Sequence, residues 1–354
     1  MNWPSVGRNI LRPVLQGRLA EQDPPPTAVF VVLDRRAEEA ARHPVERGLS
    51  AFDGPIHWIA WLPTEGKKNL AEAEKLARKM VRRGLDRKSL LLAAGGGVTS
   101  DLAGFLAATL LRGIRWGVVP TTLLGMADAA LGGKTAVDLP EGKNLLGAFH
   151  PPEFVICDVH LLRTLPRREW NCGLGEVLKA ALIGDADLLH LLEEARPSDL
   201  RRPGETALAM VKAAAELKMR VVERDPLELG DRMVLNLGHT FAHALETAAG
   251  HKKLPHGEAV ALGILCALRM SEELGVAEKG LARRVRGVVA RLGLPTRFPG
   301  KLPTRGELSS LMKRDKKSRA GKLDLVLPVK VGECLAIKGV DPAIAVSALH
   351  RELA

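Results

Sequence analysis

With 354 residues the chain is longer than one hydrophobic core usually organises, and 46% hydrophobic with 26% charged residues excludes a disordered polypeptide. Two packed lobes with a cleft between them are expected. The formal charge of +11 attracts anions, while 3% aromatics and no tyrosine remove the stacking platforms on which single-stranded nucleic-acid binding depends.

The first 160 residues alternate short apolar, β-branched runs with longer amphipathic ones, the pattern of strands and helices in a mostly parallel sheet. Residues 28–33 read as a strand ending at Asp34, and residues 56–62 as a second. The spacing predicts a helix over residues 70–81 with Gly84 as its stop, then a strand over 89–94 that runs into Gly95-Gly96-Gly97. A further strand is expected over 116–119, closed by Pro120. Beyond residue 160 the texture changes to Ala/Leu/Glu/Arg-rich stretches of 3.6-residue period, punctuated by Gly184, Gly230, Gly250, Gly275 and Gly293. This half reads as all-helical. The expected division is therefore 1–160 and 161–354.

Cys157, Cys172, Cys266 and Cys334 are widely spaced with no Cys-x-x-Cys pair, which argues against a disulfide framework or a thiolate metal site. Arg8, Arg12 and Arg18 interrupt the apolar stretches near the start, and no uncharged apolar run reaches membrane-spanning length. A reducing cytoplasm, with no membrane or nucleic-acid partner, is the expected setting. The basic run of Lys313, Arg314, Lys316, Lys317, Arg319 and Lys322 around Asp315 reads equally as a solvated face or an anion-binding one.

Three glycines directly after a buried strand let the backbone turn sharply and approach a pyrophosphate, while the next helix offers unpaired N–H donors. Gly95 to Asp101 is such a junction, although its spacing is not G-x-G-x-x-G. Downstream come Pro120-Thr121-Thr122, Asp128, Gly132-Gly133-Lys134-Thr135 and Gly142-Lys143-Asn144. Lysine beside glycine brings an ammonium against phosphate, but the Walker spacing fails at Lys134.

Metal-capable side chains in the second half are Glu176, His239, His243 and His256. His239 and His243 share one helix face, yet Thr240 stands where an H-E-x-x-H protease needs its glutamate. Each histidine alone is equally a hydrogen-bonded structural one. Together, a carboxylate with two imidazoles is a recurrent open catalytic zinc set. Lys179, Lys218, Arg232, Asn236 and Lys316 or Lys317 form a surplus of donors suited to a multiply anionic, hydroxylated substrate.

Taken in order, Gly95-Gly-Gly-Val-Thr-Ser-Asp101, Arg112-Gly, Pro120-Thr-Thr, Met126-Ala-Asp128, Gly132-Gly-Lys-Thr-Ala136, Gly142-Lys-Asn144, Gly175-Glu-Val-Leu-Lys179, Asn236-Leu-Gly-His-Thr240 and His256-Gly-Glu-Ala259 resemble the 3-dehydroquinate synthase family. The resemblance runs nearly end to end and is densest over residues 91–262. It implies an α/β N-terminal domain with a parallel, Rossmann-like sheet that binds NAD, an all-α C-terminal domain that binds zinc or cobalt, and a homodimer. The implied metal ligands are Glu176, His239 and His256. Implied NAD contacts are Asp34, Glu65, Lys68, Gly95, Gly96, Gly97, Val98, Thr99, Ser100, Asp101, Thr121, Thr122, Asp128, Lys134, Lys143, Leu161, Leu162, Arg163 and Thr164. Implied catalytic and substrate residues are Asp128, Lys134, Asn144, Lys179, Lys218, Arg232, Asn236, His243 and Lys316 or Lys317, with Arg112 serving the partner subunit's site. Two departures are Ser100, where glycine is common before the loop aspartate, and Thr64, which marks a shortened segment before Glu65. Ser100 is expected to place a side chain near the pyrophosphate.

The reaction so implied converts the anionic sugar phosphate 3-deoxy-D-arabino-heptulosonate 7-phosphate to 3-dehydroquinate and phosphate, in the shikimate route to aromatic amino acids, by transient oxidation, elimination, re-reduction, ring opening and aldol closure. A cyclase acting on another sugar phosphate and a metal-dependent polyol dehydrogenase are the alternatives within this resemblance. A nucleic-acid-binding protein accounts for the charge but leaves the histidines unexplained.

Overall fold

The computed structural model describes residues 2–250, 253–313 and 321–354. They fall into two compact units, Met1–Pro166 with Arg202–Ala215, and Arg167–Arg201 with Glu216–Ala354.

The first unit is built on β1 (Ser5–Gly7), α1 (Leu11–Ala20), β2 (Val29–Asp34), α2 (Glu38–Leu49), β3 (Ile56–Trp61), α3 (Leu70–Val81), β4 (Leu90–Gly95), α4 (Gly97–Thr109), β5 (Arg115–Pro120), β6 (Lys134–Leu139), β7 (Gly142–Phe149) and β8 (Phe154–Asp158). Six strands form one sheet in the order β1-β8-β5-β4-β2-β3, and every pairing in it is parallel. All six residues of β2 and of β4 are buried, as uninterrupted apolar runs require when helices cover both faces. The strand order reverses between β2 and β4, so the carboxyl ends of these strands, Asp34 and Gly95, flank a topological switch point. Ligands of open α/β sheets bind at such points. Apart from the sheet, β6 and β7 form an antiparallel hairpin that presents Lys134, Lys143 and Asn144.

The second unit contains α5 (Arg167–Gly184), α6 (Ala186–Glu194), the end of α7 (Glu205–Arg224), α8 (His239–Ala249), α9 (His256–Glu273), α10 (Leu281–Arg291), α11 (Arg305–Lys313), β9 (Leu323–Lys330), β10 (Glu333–Val340) and α12 (Pro342–Leu353). It is helical, and the antiparallel pair β9–β10 adds a feature that the 3.6-residue periodicity did not announce. In α5 every residue from Trp170 to Ile183 is buried, which marks it with α9 as a core helix rather than an amphipathic surface one. Among the described residues no helix is long and apolar enough to cross a membrane.

Candidate active site

In the second unit α5 and α9 cross at a pair of glycines. A Cβ built on Gly175 would stand 2.1 Å from the Gly257 carbonyl oxygen, and one on Gly257 would stand 1.9 Å from the Cys172 carbonyl oxygen. No other residue fits at that separation. Glu176 follows the first glycine and His256 precedes the second, so the crossing brings them together: His256 Nε2 lies 3.0 Å from Glu176 Oε1. At the start of α8, Gly238 takes φ 78° and packs against the Gly263–Ile264 backbone of α9, where its own Cβ would meet the Ile264 nitrogen at 2.9 Å. That contact aims His239 at the same carboxylate, with Nε2 3.5 Å from Glu176 Oε1. One donor atom from each of Glu176, His239 and His256 lies within 4.8 Å of the others.

Glu176 is buried, which disfavours its charge, yet Lys179, with Nζ 2.5 Å from Oε2, and the two histidines hold it well below the usual carboxylate range. Burial also acts to lower His256, but hydrogen bonds to Glu176 and Glu246 and their charges push it up to about 10. Two imidazoles and a carboxylate converging on one point fit a divalent metal with an open position.

The other implied substrate residues of this unit gather by element. Lys179 is one turn beyond Glu176, and His243 one turn beyond His239, its ring edge-on at 5.7 Å. Lys218 and Arg232 are buried cations on α7 and on the 3-10 turn Asp231–Asn236. That turn is organised by Asp225, whose carboxylate accepts from the backbone N–H groups of Gly230 (2.7 Å), Leu229 (2.8 Å) and Arg232 (3.0 Å). Those hydrogen bonds, Gly230 first, lower the Asp225 pKa. Asn236 Nδ2 reaches Glu228 Oε1 at 3.4 Å. Lys316 and Lys317 lie outside the described residues.

In the first unit the glycine loop forms a cradle between the end of β4 and the start of α4. Gly96 occupies the N-cap of α4 with no side chain capping it, which leaves N-terminal N–H groups to a ligand. Gly95 lies so close to Asp34 that a Cβ there would meet the aspartate Cβ at 2.9 Å. The Asp34 carboxylate turns back to accept from Arg36 N. Among the described residues, the buried Thr99 Oγ1 and Thr121 Oγ1 find no hydrogen-bond partner. The Ser100 hydroxyl donates to the Gly97 carbonyl at 2.9 Å. Thr122 Oγ1 accepts from Gly125 N at the start of the π-helical turn Gly125–Ala129, which carries Asp128.

Next to the cradle sits a buried lysine. Lys68 Nζ is 3.0 Å from Asp101 Oδ2, 3.4 Å from Asp138 Oδ1 and 3.8 Å from Glu65 Oε1, and it donates to Asn144 Oδ1. Burial acts to lower Lys68, but Asp101, Glu65 and Asp138 raise it overall; burial lifts Asp101 to about 6. Lys143 Nζ pairs with Glu65 at 3.4 Å, while Lys134 is exposed at the start of β6. The remaining implied contacts sit differently: Leu161 and Leu162 are core residues, Arg163 donates to the Ala40 and Glu39 carbonyls of α2, and Thr164 ends the 3-10 turn Val159–Thr164. Arg112 is exposed, with φ 69°, directly after Leu111 at φ 50°.

Four residues absent from the sequence reading complete these networks: Asp138, Asp225, Glu228 and Glu246. A signal existed for Glu246, which follows His239 and His243 at helical spacing on α8. Asp225 precedes proline in a glycine-terminated stretch, a turn signature. Nothing local marks Asp138.

Comparison with known proteins gives these sites a family. The family models 3-dehydroquinate synthase N-terminal and 3-dehydroquinate synthase C-terminal match residues 59–172 and 173–318. The 3-dehydroquinate synthase of Pelobacter propionicus is 41% identical over 334 residues, covering 94% of this chain and 90% of its own. That of Symbiobacterium thermophilum is 44% identical over 279 residues, covering 78% and 77%. Among solved structures, ValA, a 2-epi-5-epi-valiolone synthase from Streptomyces hygroscopicus with NAD+ and Zn2+ bound, superposes with TM-score 0.87 at 27% identity over 99% of this chain and 96% of its own. A 2-deoxy-scyllo-inosose synthase shares the fold at TM-score 0.87 and 24% identity, over 99% and 96%. With both family models matched in sequence order and relatives aligned over most of its length, the chain belongs to the 3-dehydroquinate synthase family.

Proposed function

We propose that the chain acts as 3-dehydroquinate synthase, taking 3-deoxy-D-arabino-heptulosonate 7-phosphate to 3-dehydroquinate and phosphate with NAD and a divalent metal, zinc or cobalt. The convergence of Glu176, His239 and His256 at the α5–α9 crossing carries this reading. A metal held there supplies Lewis acidity toward a ring hydroxyl, and NAD held at the switch point supplies a reversible hydride acceptor. ValA holds NAD+ and Zn2+, and the 2-deoxy-scyllo-inosose synthase holds carbaglucose-6-phosphate, NAD+ and Co2+.

The N-terminal domain, residues 1–160, is assigned to NAD and the C-terminal domain, 161–354, to metal and substrate. Lys134, Asn144, Arg232 and Lys316 or Lys317 bind the phosphate. Lys179, Lys218 and Asn236 orient the carboxylate and hydroxyls, converting ring closure into a positioned intramolecular step. His243 moves a proton, its imidazole lying one turn from a metal ligand. Asp128 stands by the nicotinamide end. The enzyme works as a cytoplasmic homodimer, with exposed Arg112 lent to the partner's site. Supporting the dimer are the exposed Leu145, Leu146 and Phe149 of β7.

The test follows phosphate release from the heptulosonate phosphate, with NADH recorded in parallel. Phosphate without accumulating NADH is expected; NADH rising in step with product identifies a polyol dehydrogenase instead. His256→Ala should lose bound metal, and a variant retaining full metal content removes His256 from the ligand set.

A further inference from the structure

We infer that Glu246 is the positioning residue of the metal centre, fixing the tautomer and basicity of His256 from behind. The inference rests on the divalent-metal reading of Glu176, His239 and His256. Glu246 is a buried carboxylate, 4% exposed, and sits on the α8 face that also carries His239 and His243. Its Oε1 lies 3.3 Å from His256 Nδ1, while the opposite nitrogen, Nε2, is 3.0 Å from Glu176 Oε1. The imidazole is therefore gripped at both edges by different carboxylates.

The two carboxylates cannot share one role. Glu176 meets His256 Nε2 and His239 Nε2, so those atoms define the metal point. Glu246 meets the far edge of the ring, which excludes it from the ligand set. A ring that ligates through Nε2 is neutral and carries its proton on Nδ1, so that proton is donated to Glu246. A carboxylate acceptor makes the ligating nitrogen a stronger base and stops the ring from rotating. The other ligand histidine is held differently: His239 Nδ1 lies 3.2 Å from the Leu237 carbonyl, a neutral acceptor. The site thus has one histidine backed by a charge and one backed by the backbone, and Glu246 sets that asymmetry.

The test compares wild type with Glu246→Gln and Glu246→Ala, reading Zn2+ affinity by chelator competition and the visible spectrum of the Co2+-loaded protein. Loss of Glu246 should weaken Zn2+ binding by about 10- to 100-fold in the alanine variant. Glutamine, which keeps an acceptor oxygen but no charge, should recover part of that loss and shift the Co2+ bands. Should the alanine variant not fold, the isosteric glutamine variant decides the matter alone. Variants that lose thermal stability yet keep wild-type Zn2+ affinity and Co2+ spectrum overturn the inference and leave Glu246 a structural residue. If wild type itself takes up no divalent metal at one per chain, the metal reading fails first, and the two failures are distinct.

Discussion

The glycine crossing under the metal set makes a sharp target. In Gly257→Ala the new methyl would stand 1.9 Å from the Cys172 carbonyl oxygen, where a carbon–oxygen contact of about 3.3 Å is ordinary. Both partners are helix backbone, so no side chain can swing aside. Helices α5 and α9 must part by roughly 1.4 Å, whereas metal–ligand distances tolerate only about 0.2 Å. Overpacking of this kind costs about 3 kcal/mol, at the top of the usual range, and should lower Tm by about 4 °C in a chain of 354 residues. Metal retention after gel filtration, read by elemental analysis, should fall well below one per chain. Gly287→Ala is the control: α10 leaves open space at that position, so removing a helix-interior glycine should stabilise by about 0.5–1 kcal/mol. A Gly257→Ala protein with full metal content and unchanged Tm would refute the claim that this crossing builds the site.

Two further outcomes test the surrounding networks. Asp138 accepts from Asn144 N at 2.8 Å, donates its own N–H to the Lys68 carbonyl at 2.7 Å and faces Lys68 Nζ, so Asp138→Ala should weaken NAD binding by about 5- to 30-fold in calorimetric titration. Asp138→Asn, which keeps the acceptor for Asn144, should regain most of it; equal NAD affinity in the alanine variant would sink that role. For Asp225, backbone hydrogen bonds from Gly230 and Leu229 lower the folded pKa, so its stabilisation is complete above the ordinary aspartate range near about 3.9 and is lost as pH falls through the folded value. The Tm gap between wild type and Asp225→Asn should be widest near neutrality and close in acid, and a gap constant across that span would contradict the sign.

What the sequence disclosed follows the strength of one-sided burial. Helix α3 was expected over residues 70–81 and spans Leu70–Val81, because its apolar stripe is clean and Asn69 caps it by accepting from Glu72 N at 3.0 Å. Strands β2 and β4 lie within a residue of expectation, since both faces are covered and the runs are apolar up to the terminal Asp34 of β2 and Gly95 of β4. The hairpins were not legible. In β7 every residue from Asn144 to Phe149 is exposed, and β10 is exposed or half-buried over most of its length, so neither shows the inward and outward alternation that marks a strand. Likewise Asp138, Asp225 and Glu246 act through partners brought near by the fold, and single residues carry no local mark of that.

The convergence of Glu176, His239 and His256 has a physical reason that the structure supplies. Each ligand adjoins a glycine: Gly175 before Glu176, Gly238 before His239, and Gly257 after His256. In the sequence these glycines serve only as parts of motifs. In the fold each is the point where one helix backbone presses on another, too close for a Cβ, with clashes of 2.1, 2.9 and 1.9 Å. A long side chain projecting from a residue next to such a contact has little freedom to miss its neighbour. Helices at ordinary separation, roughly 8–10 Å between axes, would leave the carboxylate and imidazoles to find one another through flexible side chains. Close crossings fix the Cα positions instead, and the loss of side-chain freedom on metal binding is reduced before any metal arrives. The motif is therefore best understood as ligand and glycine together: the glycine sets the backbone distance, and the ligand uses it.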